Sequence, residues 1–169
     1  ESGGRLLALW GSDERASGKG FTLHVALTTH PGLLVLNLAL DANQPAYPDI
    51  GAIFPQAERM QRAAYDLLGL FAQDAVDQRK WLRHGCWPEG QFPLRKEFDF
   101  MQKMTAELDA YPFIPVVGDG VHEIPVGPVH AGTIEPGHFR FSIVGERVLR
   151  LEERLGYKHK GIEKLAETM

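Results

Sequence analysis

The chain has 169 residues, 44% of them hydrophobic, which is enough to bury a core and sets an expectation of one domain or one and a fraction. A net charge of -4, with no clustering of the 18 lysines and arginines, argues against a nucleic-acid binder, which would present a basic face. No apolar run approaches the roughly 18 residues needed to span a bilayer, so membrane contact is expected only through partners.

One cysteine, Cys86, excludes an internal disulfide and any cysteine-rich metal centre within these residues, and it fits a reducing, cytoplasmic compartment. No signal peptide opens the sequence, and Glu1 in place of an initiator methionine suggests an excerpt of a longer chain.

In chain order, Arg5 to Trp10, Phe21 to Thr28 and Leu33 to Leu40 are apolar, partly alternating runs. Glycine and proline punctuate them at Gly18-Lys19-Gly20 and Pro31-Gly32, so they predict an antiparallel meander. Phe21, Leu23, Val25 and Leu27 fall on one face. His24 lies on the other, where a satisfied strand histidine is commoner than a ligand, and His30 reads as a loop residue. Pro45 and Pro48 mark an irregular crossing. A helix is then predicted from Pro55, with Met60, Ala63, Ala64, Leu67 and Leu68 at helical spacing and Gly69 as its stop. Its charged residues Glu58, Arg59, Arg62 and Asp66 are expected on the solvated face.

Residues 79 to 97 place arginines and a lysine among aromatic residues and prolines, giving a stiff, extended tail able to pair with acidic groups on a neighbour. Residues 99 to 120 combine a short amphipathic run (Met101, Met104, Leu108) with Pro112, Pro115, Gly118 and Gly120, and read as a linker.

From Val121 to Lys164 the chain carries four of its seven histidines, His122, His130, His138 and His159. From Phe139 the period is two, with Phe139, Phe141 and Ile143 on one side and His138, Arg140 and Ser142 on the other. This predicts a half-buried strand with a polar face. Gly145-Glu146 allows a tight reversal, and Arg147 to Glu152 returns with Leu149 and Leu151 on one face, completing a hairpin. The Pro136-Gly137 turn sets Glu135 near the start of the first strand, so Glu135, His138 and Arg140 are candidates to converge on one proton-handling spot. On spacing alone an ordinary ion pair is the commoner outcome. His159 and Glu163, four apart, would be neighbours on a helix, usually as a surface pair.

The strings GPVHAGTIEPGHFRF and GYKHKGIEKL resemble the start of the large subunit of membrane-associated nickel–iron (NiFe) hydrogenases of the formate hydrogenlyase type. They are more distantly similar to the complex I subunit that forms the quinone cavity. Upstream, Arg62, Tyr65-Asp66, Gly69, Arg79, Arg83, His84, Trp87-Pro88 and Pro93-Leu94-Arg95-Lys96-Glu97 resemble the complex I peripheral-arm subunit that docks beside it. Departures from that pattern are Gln61 for a glutamate, Asp74-Ala75-Val76 for glycine-histidine-proline, and Glu97 for the closing aspartate.

The resemblance implies an α+β fold in which an antiparallel sheet with a packed helix precedes a β-hairpin and helix opening a hydrogenase large-subunit-like domain. The divisions expected are 1–98 as the peripheral-arm-like domain, 99–120 as linker and 121–169 as the front of the large subunit. It implies an oxidoreductase of hydrogen, or in the alternative an NADH:quinone oxidoreductase subunit. A non-catalytic assembly or scaffold homologue is a third reading.

Glu135 would relay protons, as in the glutamate turn of the hydrogenases, with His138 and His130 beside it; in the quinone reading those histidines line the headgroup pocket. Glu163 would help hold magnesium or another hard cation. Arg79, Arg83, Arg95 and Lys96 would dock an iron–sulfur small subunit, with membrane-embedded subunits beyond it on the inner face of the cell membrane. The nickel–iron centre itself needs two cysteine pairs, expected after Met169, so no cofactor is expected within the 169 residues and the segment alone would be inactive.

Overall fold

The computed structural model describes residues 3–85, 87–105, 109–128 and 135–167. Two compact units are interleaved along the chain. The first takes Glu1–Lys80, Pro88–Met104 and Gly161–Met169, and the second takes Trp81–Trp87 and Thr105–Lys160.

In the first unit the three predicted runs become β1 (Arg5–Asp13), β2 (Phe21–Thr28) and β3 (Leu33–Leu40), an antiparallel meander in which Phe21 faces Asp13 on one side and Leu40 on the other. The predicted helix forms as α1 (Ala57–Leu68), and Gly69 stops it at a φ of 78°, a left-handed conformation that glycine adopts at little cost. Leu9, Phe21, Leu23 and Leu40 from the sheet meet Ala64, Leu68 and Leu70 from the helix and its exit, around the fully buried Tyr47. The α1 end lies so close to β1 that a Cβ on Gly11 would stand 2.4 Å from the Leu70 side chain. Leu34, Leu36 and Leu38 of β3 stay exposed.

Two features depart from what the sequence predicts. Arg62 and Asp66 are buried rather than solvated. The Arg62 guanidinium donates to the Arg79 and Lys80 carbonyls at 2.7 and 3.0 Å and pairs with Asp77, so the loop after the helix folds over what the helical wheel makes an outer face. The proline-marked crossing also hides β4 (Ala46–Pro48), which pairs in parallel with β5 (Phe71–Gln73). Three-residue strands carry too little alternation to announce themselves.

The second unit is a three-stranded antiparallel sheet of β6 (Val121–Val126), β7 (His138–Val144) and β8 (Arg147–Arg154), turned at Gly145-Glu146. β6 extends the predicted hairpin by a strand. The alternation of β7 is as predicted, with Phe139, Phe141 and Ile143 half-buried, but the polar face of the sheet is the more deeply covered one. Ser142, Glu152 and Arg154 are 2%, 7% and 3% exposed, whereas Leu149 and Leu151 are exposed. The polar side is covered by residues 109–114, with Tyr111 and Phe113 laid over arginines, so charged groups line the interior of this unit.

A short helix, α2 (Ile162–Ala166), belongs to the first unit. It begins after His159, so His159 and Glu163 do not share a helix as their spacing suggested.

Candidate functional site

The most specific motif of the first unit, Pro93-Leu94-Arg95-Lys96-Glu97, is a clasp across the open end of α1. A helix leaves its last carbonyls without intrahelical donors. Here the Leu94 N–H donates to the Leu67 carbonyl at 3.0 Å and Arg95 Nε to the Leu68 carbonyl at 2.8 Å. The Arg95 guanidinium lies over the rings of Phe21 and Phe92, 5.1 and 4.3 Å from their centroids, a cation–π arrangement. Burial and the nearby Arg15 charge lower its pKa.

The next residue continues the clasp. The Lys96 N–H donates to Asp13 at 3.0 Å, while its ammonium pairs with Glu167 at 2.6 Å. Lys164 of α2 donates to the Arg95 carbonyl at 2.8 Å. Arg15 bridges Asp13 and Glu97. The side-chain bonds from Arg15 hold the Asp13 carboxyl well below the usual carboxylate range, against the opposing effect of burial and with help from the Lys96 amide.

The four predicted docking cations have different surroundings. Arg79 binds Asp77 at 2.6 Å, Arg83 is buried with Nε donating to the Trp87 carbonyl at 3.1 Å, Arg95 caps α1, and Lys96 has a half-exposed side chain. Burial pushes the Asp77 carboxyl up, but bonds from the Arg79 side chain and amide, with the charges of Arg62 and Arg79, outweigh it and leave the group at about 2. A cleft of about 90 Å³ opens beside this pair, lined by Gln61, Tyr65, Phe71 and Ala75 as well as the charged groups.

In the second unit the polar interior centres on Arg154. Its guanidinium donates to the Trp81 carbonyl at 3.1 Å and to the Arg83 carbonyl, pairs with Asp109 at 3.0 Å, and lies 4.5 Å from the Tyr111 ring centroid. Glu152 accepts the Ile114 N–H at 2.7 Å. His84 Nε2 donates to the Leu155 carbonyl at 2.6 Å, with its ring against Tyr157. Sequence singles out only His84 among these side chains. The Arg150-x-Glu152-x-Arg154 alternation was the available signal, but it does not say which face turns inward.

Of the predicted proton-handling residues, His138 and Arg140 meet at Phe113, their groups 5.3 and 4.6 Å from its ring centroid. Arg140 also reaches Glu123 at 3.7 Å, and His138 Nδ1 lies 3.3 Å from the Gly127 carbonyl. Glu135 stands apart from them as an exposed carboxylate paired with Lys160 at 3.3 Å. His130 lies outside the described residues. Glu163 is exposed on α2.

Among the described residues no three histidine, cysteine, aspartate or glutamate side chains gather in a metal-binding group, and no helix is long and apolar enough to cross a membrane. A hydrogen-bonded row crosses the first sheet, with Ser12 Oγ 2.9 Å from His24 Nε2 and His24 Nδ1 2.7 Å from Asn37, and Trp10 stacked on the imidazole. Ser12 also donates to Glu14 at 3.0 Å, so the row reads as the satisfied strand histidine expected from sequence.

The family model for the respiratory-chain NADH dehydrogenase 30 Kd subunit matches residues 2–104. Over 99% of its length the chain is 35% identical to formate hydrogenlyase subunit 5 of Escherichia coli K12, covering 31% of that protein. It is 34% identical to hydrogenase-4 component G of the same organism, over 98% of this chain and 31% of the relative. It is 30% identical to the C/D subunit of NADH-quinone oxidoreductase from Phocaeicola vulgatus, over 97% of this chain and 35% of that one. The chain thus spans about a third of the length of these curated relatives, which are named as subunits or components of hydrogenase and NADH-quinone oxidoreductase systems. With more than half of its residues inside the family model, the chain belongs to the respiratory-chain NADH dehydrogenase 30 Kd subunit family.

Proposed function

We propose that these residues are the front part of the large subunit of a membrane-associated, formate hydrogenlyase-like nickel–iron hydrogenase, working in proton reduction or hydrogen oxidation with electrons passing through an iron–sulfur partner. The observation that carries this reading is that similarity to formate hydrogenlyase subunit 5 and hydrogenase-4 component G runs over nearly the whole chain, well past residue 104 where the 30 Kd family match ends. The fused quinone oxidoreductase subunit is the second reading, favoured by the C/D relatives, which match almost as much of the chain at lower identity.

The residues present do not fit a nickel–iron centre, because Cys86 is the only thiol in the sequence and no metal-binding group forms among the described residues. The metal ligands on this reading belong to polypeptide outside the 169 residues. What these residues contribute is a clasped first unit for assembly, and Glu135 as an exposed carboxylate at the entry to β7, which on this reading lies on the proton route where it joins the rest of the enzyme. Lys96, the most exposed of the four docking cations, is the one left best placed to meet a partner.

The test uses the complete native complex, purified through a tag on this chain. Bound nickel with hydrogen–deuterium exchange activity is expected, and Glu135→Gln should suppress exchange while nickel stays bound. Exchange at the parental rate in that variant removes Glu135 from the proton route. NADH-driven quinone reduction by a nickel-free complex replaces the hydrogenase reading with the quinone one.

A further inference from the structure

The sheet β6–β7–β8 has Ser142, Glu152 and Arg154 buried on its polar face, while its apolar face is partly open, with Phe139 and Phe141 half-buried between exposed neighbours on β6 and β8. Ile124, Phe141 and Leu151 stand in one row across the three strands, and Val126 and Phe139 form the next. Ile124, Val126 and Leu151 are 44%, 47% and 41% exposed, and Leu149 adds further exposed apolar surface on β8. These rows hold no charge apart from Glu153, opposite Phe139 at the edge.

A sheet is stable as one layer of at least two, and the layer over the polar face is already supplied by residues 109–114, whose Ile114 amide, Tyr111 and Phe113 engage Glu152, Arg154 and Arg140. The open face carries only His122 at one end and Glu153 at its edge, too little charge to recognise a strongly acidic or basic partner, and a contiguous apolar patch of this kind marks a surface that is covered in the working assembly. The relatives carry much more polypeptide than the matched 31%.

We infer that this face seats a segment of that further polypeptide of the same subunit, which lays apolar side chains across Ile124, Phe141 and Leu151. The inference rests on the reading above only in taking the chain as part of a subunit of that length. A hydrogenase and a quinone oxidoreductase satisfy it equally.

In the complete native complex, Leu151→Cys is expected to react with a maleimide about tenfold more slowly, or slower still, than Val76→Cys, whose parent residue is 101% exposed. A photo-crosslinking amino acid at position 151 should join to the same polypeptide outside these 169 residues. Should Leu151→Cys lower the yield of complex, Val126→Cys reads the same face. Labelling of both at the Val76 rate overturns the inference, and a crosslink to another subunit or a second copy overturns the assigned occupant. Protection in a nickel-free complex supports it while counting against the hydrogenase reading; fast labelling in a nickel-loaded one sinks it alone.

Discussion

Both units of this chain contain a three-stranded antiparallel sheet, and the two bury opposite kinds of side chain. In the first, Phe21, Leu23 and Leu9 turn toward α1 and close an apolar core with Leu68 and Leu70. In the second, Ser142, Glu152 and Arg154 turn inward and the leucines of β8 turn out. The first unit therefore draws its stability from the hydrophobic effect within its own residues. The second depends on a geometry-sensitive set of charge-assisted hydrogen bonds and leaves Ile124, Val126, Leu149 and Leu151 exposed. Alternation in a strand defines two faces, but what packs on the sheet decides which one is inside.

The comparison is broken most severely by Arg154→Ala. Removing one partner of a buried, paired charge costs about 3–5 kcal/mol, because Asp109 and the carbonyls of Trp81 and Arg83 each lose a charged donor. Amide exchange in the full subunit should then rise across β6 to β8 and stay unchanged in α1; equal acceleration in both would mean that the loss is global rather than local to the second sheet.

Leu68→Ala is the converse, with an expected cost of about 2–5 kcal/mol at a fully buried aliphatic position, read as lost protection in α1 and β1 and none lost in β8. Next in size is acid. The folded-state pKa of Asp77 lies below its ordinary value of 3.8, at about 2, so its contribution is complete above about pH 4 and is lost as pH falls toward 2. Unfolding midpoints measured from pH 5 downward should fall less steeply in Asp77→Asn, and parallel slopes would exclude this pair as the source. Lys96→Ala should shift stability least, by about 0.2–1 kcal/mol, since its ion pair with Glu167 is solvent-exposed at the lysine end. A loss matching that of Leu68→Ala would show that the clasp, rather than the core, governs the first unit.

Much of the first sheet is legible in the residues themselves. Phe21–Thr28 and Leu33–Leu40 are predicted to the residue, β1 runs three residues beyond its predicted end, and Gly69 marks the helix stop. The three-residue pair β4 and β5 was not, since parallel pairing joins segments far apart in sequence with no local period to read. In the candidate site, spacing offered Glu135 and His138 as neighbours but favoured an ordinary ion pair, and the structure gives Glu135 an ion pair with Lys160 and sets His138 against Phe113; the identity of these partners was not legible, because residues 109–114 and 157–160 lie outside any local window.

Sequence alone determined the strand period, the turn at Gly145, the lack of a cysteine cluster and the resemblance that the family match bears out for residues 2–104. Tertiary structure alone decided that Arg62 and Asp66 are buried, that Arg95 caps a helix, and that the polar side of β7 and β8 is the inner one. The reason is physical: local sequence sets backbone geometry and the direction in which side chains alternate, while burial depends on which distant segment arrives to cover them.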